Sequence, residues 1–595
     1  MSYDMLTTSG INSLVSTYSY MEFEKKITPL KMRQDKYQRI SDGYTTLSGK
    51  LESFKDLLED LKEIGSSSIF ANKASTTTNS SFVTATASST AISSNYNFRI
   101  NQLARNDVAI SSDLVSDTAN PITGTHAFQI KTGDGEGGQF TSNIEVEFEA
   151  DETNETMIEK IAQAINKDKA VISSAEMDAA TVYNGTGSFV IDVNGEETTI
   201  DYDYSAGKTY EEVVDDIISQ VTSKVDGVIA EKVTNGSNVG FKFTVDDNND
   251  YITIEQSSDT GTLLSSGEFN IDALKEKGAA GSVSASAFSP TTTTSQLSLT
   301  AKNTGVDYRI TSLLDTNGGT ALTELGLNLG SARTQYDQTG DPDTPGFMYS
   351  DIADSTNELN ARFSMNNINI QRSSNIVSDL VNGVTFTMNA AMDAEDSDVS
   401  VTVNNDVEGS KKKIEDFVKK FNDVYTYIKN NSQNMSGTRG IFLGDANTSS
   451  LMSAFRTTAY TQVTGITSGN IDDLNEIGIE FDSLSGLKIA DSSTLEKKLA
   501  ESMGQVEKLF NSSDGLANQL HDAIDPYLGN DGYISNLKSS YDRNIKSIKD
   551  KITGTQERID KSSDTLRGKY EELQLQLMSF YNMQSIMSSF SGGYY

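Results

Sequence analysis

Cysteine and tryptophan are absent from the 595 residues, and proline occurs only six times. Without cysteine there are no disulfides, no thiolate metal ligands and no cysteine nucleophile. Two histidines, His126 and His521, stand nearly 400 residues apart. They leave little for imidazole catalysis or zinc, and both are expected to be structural. Basic residues are outnumbered, with 48 Lys and Arg against 84 Asp and Glu, a formal net charge of −36. Such a chain repels phosphate backbones, which argues against nucleic-acid binding. No apolar run approaches the ~18 residues of a spanning helix, so no membrane insertion is expected. Met1 to Gly10 carries neither a cationic nor an apolar stretch, so no cleaved Sec-type signal is expected. An acidic, cysteine-free, Ser/Thr/Asn-rich composition nevertheless suits a solvent-facing surface protein. The two readings conflict unless export uses a route without a cleaved signal.

What is present is periodicity at both ends. Tyr37, Ile40, Tyr44, Leu47, Leu51, Phe54, Leu58 and Leu61 alternate spacings of three and four, a heptad seam that Gly65 and the following serines stop. Upstream, Leu14, Val15, Tyr18, Met21 and Leu30 continue a weaker helical pattern that Pro29 interrupts. Near the C-terminus, Tyr541, Ile545, Ile548, Ile552 and Ile559 form a second seam. Leu566, Tyr570, Leu573, Leu577 and Phe580 resume it after a one-residue slip. The two seams fit an antiparallel pair within one chain, with the outermost turns free to pair with other subunits. The tail from Ser591 to Tyr595 is expected to fray. A third helix runs through Ile414, Phe417, Val418, Phe421, Val424, Tyr425 and Ile428, with Ser410 as the expected N-cap.

The length suggests roughly four domains, and the middle reads as short strands with frequent turns. Ile144, Val146 and Phe148 alternate with glutamates, and Asn194-Gly195 signals a hairpin leading to Ile200, Tyr202 and Tyr204. Helices over Thr156–Asn166 and Thr209–Val221 repeat at a period of 53, the second opened by a Thr209/Glu212 capping box. Residues 121–295 hold 31 Asp and Glu against 10 Lys and no Arg, so this stretch carries −21 of the −36. That acidity argues for solvation and self-repulsion, not for a specific ligand.

Chemical motifs are weak. Gly133-Asp134-Gly135-Glu136-Gly137-Gly138 matches a dinucleotide fingerprint, but a strand follows instead of a helix, so a hairpin loop is expected. Asp246, Asn248 and Asp250 begin like a calcium loop, yet Tyr251 and Ser257 stand where Gly and Glu are needed. An acidic hairpin turn is expected there. No constellation supports an enzyme, a cofactor or a metal.

A series of short segments carries a family resemblance. It starts with Ser9-Gly10-Ile11-Asn12, Leu14-Val15 and Pro29-Leu30. Val83 to Ser88 and Tyr96 to Ala104 follow as a paired-strand signature. Phe363 to Ile370, Ser374 to Val377, Asn382-Gly383-Val384-Thr385-Phe386 and Phe417 to Asn422 continue it. Gly444-Asp445, Glu476 to Ile479 and Leu509-Phe510 complete it. In this order they resemble the flagellar filament cap family, hook-associated protein 2 (FliD). Asn12 departs from the Asp that the family prefers. The helix at Ile161 to Asn166 and the stretch Leu297 to Leu327 are similar to segments shared by flagellins and hook-associated proteins.

The resemblance implies an α+β multidomain fold with paired, coiled-coil-like helical termini, a helical-bundle inner domain and β-rich outer domains inserted in the middle. The expected parts are a leg (1–40 and 555–595, partly disordered when free), an inner helical domain (41–74 and 406–554), and a β-rich domain (75–120 and 350–405). An acidic insert follows (121–349), with repeats at about 121–187 and 188–295 and a further segment 296–349. The implied role is non-enzymatic. A ring of about four to six subunits closes the filament tip, retains exported flagellin and promotes its folding and insertion. Implied partners are further copies of the chain, flagellin, hook-associated proteins at the filament base before elongation, and a cytoplasmic export chaperone on the C-terminal helix. The implied location is extracellular, at the flagellum tip, after export unfolded through the flagellar channel. Ile11, Leu14, Val15, Leu573, Leu577 and Phe580 are the expected leg contacts. The alternatives are another axial protein, such as a hook–filament junction protein, or an extracellular adhesin, and adhesion also stands as a second role for 121–349.

Overall fold

The computed structural model describes residues 7–591 except 260–262, 264–268, 270, 272–274, 341–342, 435–438 and 468. Residues 1–6 and the tail beyond Ser591 lie outside them. Thr8–Lys26 (α1) and Thr28–Lys62 (α2) lead the chain. Asn154–Lys167 (α3), Tyr210–Lys224 (α4) and the single turns Ala279–Ser282 (α5) and Ala321–Glu324 (α6) lie among strands. Val407–Asn431 (α7), Ala446–Tyr460 (α8), Ser492–Asn511 (α9), Leu516–Ile524 (α10) and Tyr533–Ser591 (α11) follow. The fold is α+β and multidomain, with helical ends and a β-rich middle. Residues 1–74, 88–90 and 404–595 form one compact unit, and residues 75–87 and 91–403 form the other.

In the helical unit, α1 stops at Ile27 because Pro29, in the first turn of α2, cannot continue the hydrogen-bond ladder. The heptad face of α2 then divides between two partners. Tyr37 packs against Tyr541 with ring centroids 5.6 Å apart and the rings tilted, and Ser41 Oγ donates to Asp542 at 3.3 Å, so the first half of α2 lies on α11. The second half does not. Leu47, Leu51, Phe54, Leu58 and Leu61 are buried in a core with α7, α8, α9 and α10, where Phe54 meets Phe417 at 5.6 Å and Phe455 at 5.8 Å. The expected antiparallel pairing of the two seams thus holds for the first half of α2, whereas the large side chains of its second half find aromatic partners on α7 and α8. Gly43 lets the Ile441 side chain lie against α2, since a Cβ there would meet its Cδ1. The N-cap of α7 is also corrected. Asp406 accepts from Gly409 N at 2.8 Å and starts the helix early, leaving Ser410 inside and buried.

The other unit holds three cores. Val83–Ala87 does not pair with Ser94–Gln102, contrary to the paired-strand expectation. It pairs with Val384–Met388, whereas Ser94–Gln102 sits between Ala361–Met365 and Val399–Asn405. The two strands belong to facing sheets, with Phe98 and Phe386 meeting between them at 4.8 Å. A seven-stranded sheet runs in the order Glu196–Asp203, Thr186–Val193, Tyr251–Asp259, Lys275–Lys277, Gln139–Phe148, Gly124–Gly133, Ile310–Thr316. Its hairpins turn at Asn194-Gly195, both with positive φ, and at the glycine-rich 134–138 loop, where Asp134 Oδ1 accepts from Glu136 N and Gly138 N.

The helical repeats are not tandem modules. Helix α3 packs in a core with residues 279–347, and a separate core from residues 170–271, which contains α4, is inserted in sequence between the segments that build it. A boundary near 187 falls inside the nested core. Asp246 to Asp250 is also not a hairpin turn, because the strands on either side belong to different sheets.

Candidate interaction surface of the terminal helices

Among the described residues no cluster of metal-ligating groups exists, and no helix is long and apolar enough to cross a membrane. His126 Nδ1 accepts from Thr320 N at 3.0 Å, and His521 lies 3.7 Å from Glu59, so both sit in structural roles. A groove runs between α1 and α11.

Helix α1 lies on α11 through one face. Ile11 and Val15 are buried, Ser19 Oγ is 2.6 Å from Ser563 Oγ, and Arg567 donates to Asn12 Oδ1 at 2.6 Å. The opposing face of α11 buries Ile548, Thr555 and Ile559, with Ile545 and Ile552 half-buried. Tyr37 and Ile40 are half-buried where α2 meets α11, and Tyr44 is fully buried beyond them. Tyr44 donates to Asp445 Oδ2 at 2.7 Å and Tyr533 donates to Oδ1 at 3.0 Å, which ties α2 and α11 to the start of α8. Burial pushes the Asp445 carboxyl up, but these hydroxyls, the amide of Asn447 and the side chain of Thr448 outweigh it and hold the carboxyl below its ordinary range.

Of the expected leg contacts, Ile11 and Val15 are withdrawn from any outside partner, because their side chains are spent on the chain's own α11. Leu14 is half-buried in the α1–α11 groove. Leu573 and Phe580 are exposed and Leu577 is half-buried. Leu575, Met578, Met583, Ile586 and Met587 are exposed beside them, Leu575 at 68% and Met587 at 67%. Sequence reading passed over these residues because they break strict heptad spacing. Their signal was the apolar, methionine-rich composition of 573–587, which has no basic residue. Exposed apolar stretches of this length are characteristic of binding surfaces.

The regions framing the middle of the chain match two family models. Residues 9–107 match the flagellar hook-associated protein 2 N-terminus, and residues 359–582 match its C-terminus. Together they span more than half of the chain. The chain belongs to the hook-associated protein 2 family. A curated member from Salmonella typhimurium is 24% identical over 241 residues, 38% of this chain and 50% of that protein. The B-type hook-associated protein 2 of Pseudomonas aeruginosa is 24% identical over 259 residues, 42% of this chain and 51% of that one. The chain thus spans about half the length of the curated hook-associated protein 2 relatives it matches. The flagellar cap protein FliD D1-D2-D3 domains from Escherichia coli align with a TM-score of 0.45 at 16% identity, covering 84% of this chain and 99% of that one.

Proposed function

We propose that this chain is a structural, non-enzymatic cap at the extracellular tip of a bacterial flagellar filament. One observation carries the reading beyond family membership. Helix α11 continues past its last contacts with α1 and presents a row of apolar side chains, Leu573 to Met587, to the outside. A helix this exposed is stabilised by partners, and many modest contacts along it can be broken and remade as subunits add. Residues 1–40 and 555–595 serve as the leg, 41–74 and 406–554 as the inner helical domain, and 75–120 with 350–405 as the β-rich domain. Residues 121–349 form the outer acidic part. About four to six copies close a ring, retain exported flagellin and promote its folding and insertion. Before elongation the leg rests on hook-associated proteins. Before export, without a cleaved signal, a chaperone covers the apolar row of α11 in the cytoplasm.

The test is disruption of the gene in its own organism, with unassembled flagellin in the medium and filament length as readouts. Abundant soluble flagellin with absent or stunted filaments, reversed by restoring the gene, is the expected result. Normal filaments without leaked flagellin overturn the reading.

A further inference from the structure

The groove between α1 and α11 holds about 1040 Å³ and is open along one side. Leu14, Tyr18, Leu566 and Tyr570 are half-buried along its walls, and Ile559 is buried at its base. Its charges are Lys26, Arg558, Lys561 and Lys569 against a single acid, Glu22, which is already paired with Lys26. Arg558, Lys561 and Lys569 are exposed, and none forms an ion pair among the described residues. Among the described residues, Arg558 bonds within its own helix, to Gly554 O and Thr555 Oγ1. The same arginine borders a shallow hollow on α11 that adds Arg543, Lys546 and Lys551. Residues 538–569 carry nine basic and five acidic side chains in a molecule of net charge −36. A cationic groove in an anionic protein is a local reversal that solvation alone does not require.

The shape is specific as well. Leu14, Tyr18, Glu22 and Lys26 recur every fourth residue on α1, and residues 555, 559, 562, 566 and 569 share one face of α11. Two parallel ridges with an apolar floor leave the position that a third helix takes in a bundle, with knobs entering the holes between turns. At ~1.5 Å per residue the groove seats a helix of about 12 to 15 residues.

We propose that this groove docks an acidic-flanked amphipathic helix of the filament subunit. Its apolar face lies on Leu14, Tyr18, Ile559 and Leu566, and its carboxylates meet Arg558, Lys561 and Lys569. This deepens the cap reading and rests on it. The groove runs on along α11 into the exposed row beginning at Leu573, so the filament subunit meets a basic apolar seat and an uncharged apolar seat in succession. Opposite charges steer the approach and set the register of the incoming helix, and the attraction weakens as salt rises.

Two measurements on the full chain test it. First, a synthetic helix of Leu/Glu heptads and its Leu/Lys counterpart are titrated by fluorescence anisotropy. The Leu/Glu peptide is expected to bind at least tenfold more tightly, with affinity falling as salt rises. Lys561→Glu/Lys569→Glu reverses that preference and leaves the thermal midpoint unchanged. Equal binding of both peptides, or an unaltered preference in the variant, overturns the proposal. Second, a photo-crosslinking residue replaces Ser562, an exposed position on the groove wall, in cells with growing filaments. Adducts with flagellin are expected. Adducts only with another copy of this chain, or none while the same probe at Phe580 reacts, overturn the groove assignment and leave the cap reading standing. Loss of the cap reading itself is scored separately, by gene disruption.

Discussion

Along α11, two stretches of one continuous helix differ in what covers them. From Tyr533 to Ile559 the helix buries Ile534, Ile548 and Ile559 against the chain's own helices. From Leu573 to Met587 its apolar residues are exposed or half-buried. Both stretches show similar three-four spacing, so the same pattern encodes an internal seam and an external surface. The difference lies in where a partner is found. Helix α1 supplies one as far as Arg567, and α2 with α8 supplies a fixed polar anchor through Tyr44, Asp445 and Tyr533.

The two units show the same contrast in their buried carboxylates. Asp445 collects donors and is stabilised as an anion. Glu276, in the seven-stranded sheet opposite Thr141, is 6% exposed and lies near Asp168. Burial, then repulsion from Asp168, push the Glu276 carboxyl up to about 7, only partly offset by Lys131. Asp168 itself is pushed up to about 6 by burial, against the pull of the Ala279 and Lys169 amides.

These contrasts can be broken experimentally, beginning with the largest effect. Phe54→Ala removes the ring at the centre of the inner core and is expected to cost ~3–5 kcal/mol in the helical unit, read by chemical denaturation. A cost below ~1 kcal/mol would mean that this core is not the anchor of the terminal helices. Glu276 comes next. Because its folded pKa is raised, the folded form holds the proton longer than the unfolded chain does. Stability of the β-rich unit should fall as pH rises from the ordinary glutamate range to about 7 and then level off. Glu276→Gln should flatten that slope and raise stability at pH 8 by ~1–3 kcal/mol, followed by thermal melts across pH.

Tyr44→Phe takes one hydroxyl from Asp445 and is expected to cost ~1–2 kcal/mol near neutral pH. Asp445 runs with the opposite sign to Glu276. Its folded pKa is lowered, so its contribution is present above the ordinary aspartate range and is lost as pH falls through the lowered value. The gap between Tyr44→Phe and the unmodified chain should therefore narrow in acid. The smallest stability effect belongs to the outer helix. Phe580→Ser should shift stability by less than ~0.5 kcal/mol while weakening attachment to filaments, measured by sedimentation with filament fragments. A large loss of stability would show that Phe580 is buried by the chain itself.

The sequence exposes periodicity and turns more readily than it exposes partners. The α2 heptads, the Phe417 helix, the Thr209 capping box and the Asn194-Gly195 hairpin are legible because their determinants lie within a few residues. The partner of Val83–Ala87 is not legible, since its pairing with Val384–Met388 joins segments some 300 positions apart. The insertion of residues 170–271 between the two halves of another core is hidden for the same reason. At the candidate surface, spacing identifies Leu573 and Phe580 but does not separate them from Ile11 and Val15. Burial by the chain's own α11 distinguishes the two pairs. The basic groove escaped because its unpaired cations lie on α11 while its other wall is α1, more than 500 positions away, and the two meet only once the helices pack.

The central claim is that the distal part of α11 is a surface for other molecules and not part of the chain's own fold. The most direct measurement is a truncation after Tyr570, expressed in place of the full chain, with thermal stability and soluble flagellin both quantified. The account predicts an unchanged melting profile for both units together with stunted filaments and abundant unassembled flagellin. A truncated chain that supports normal filaments, or that no longer folds, would contradict it.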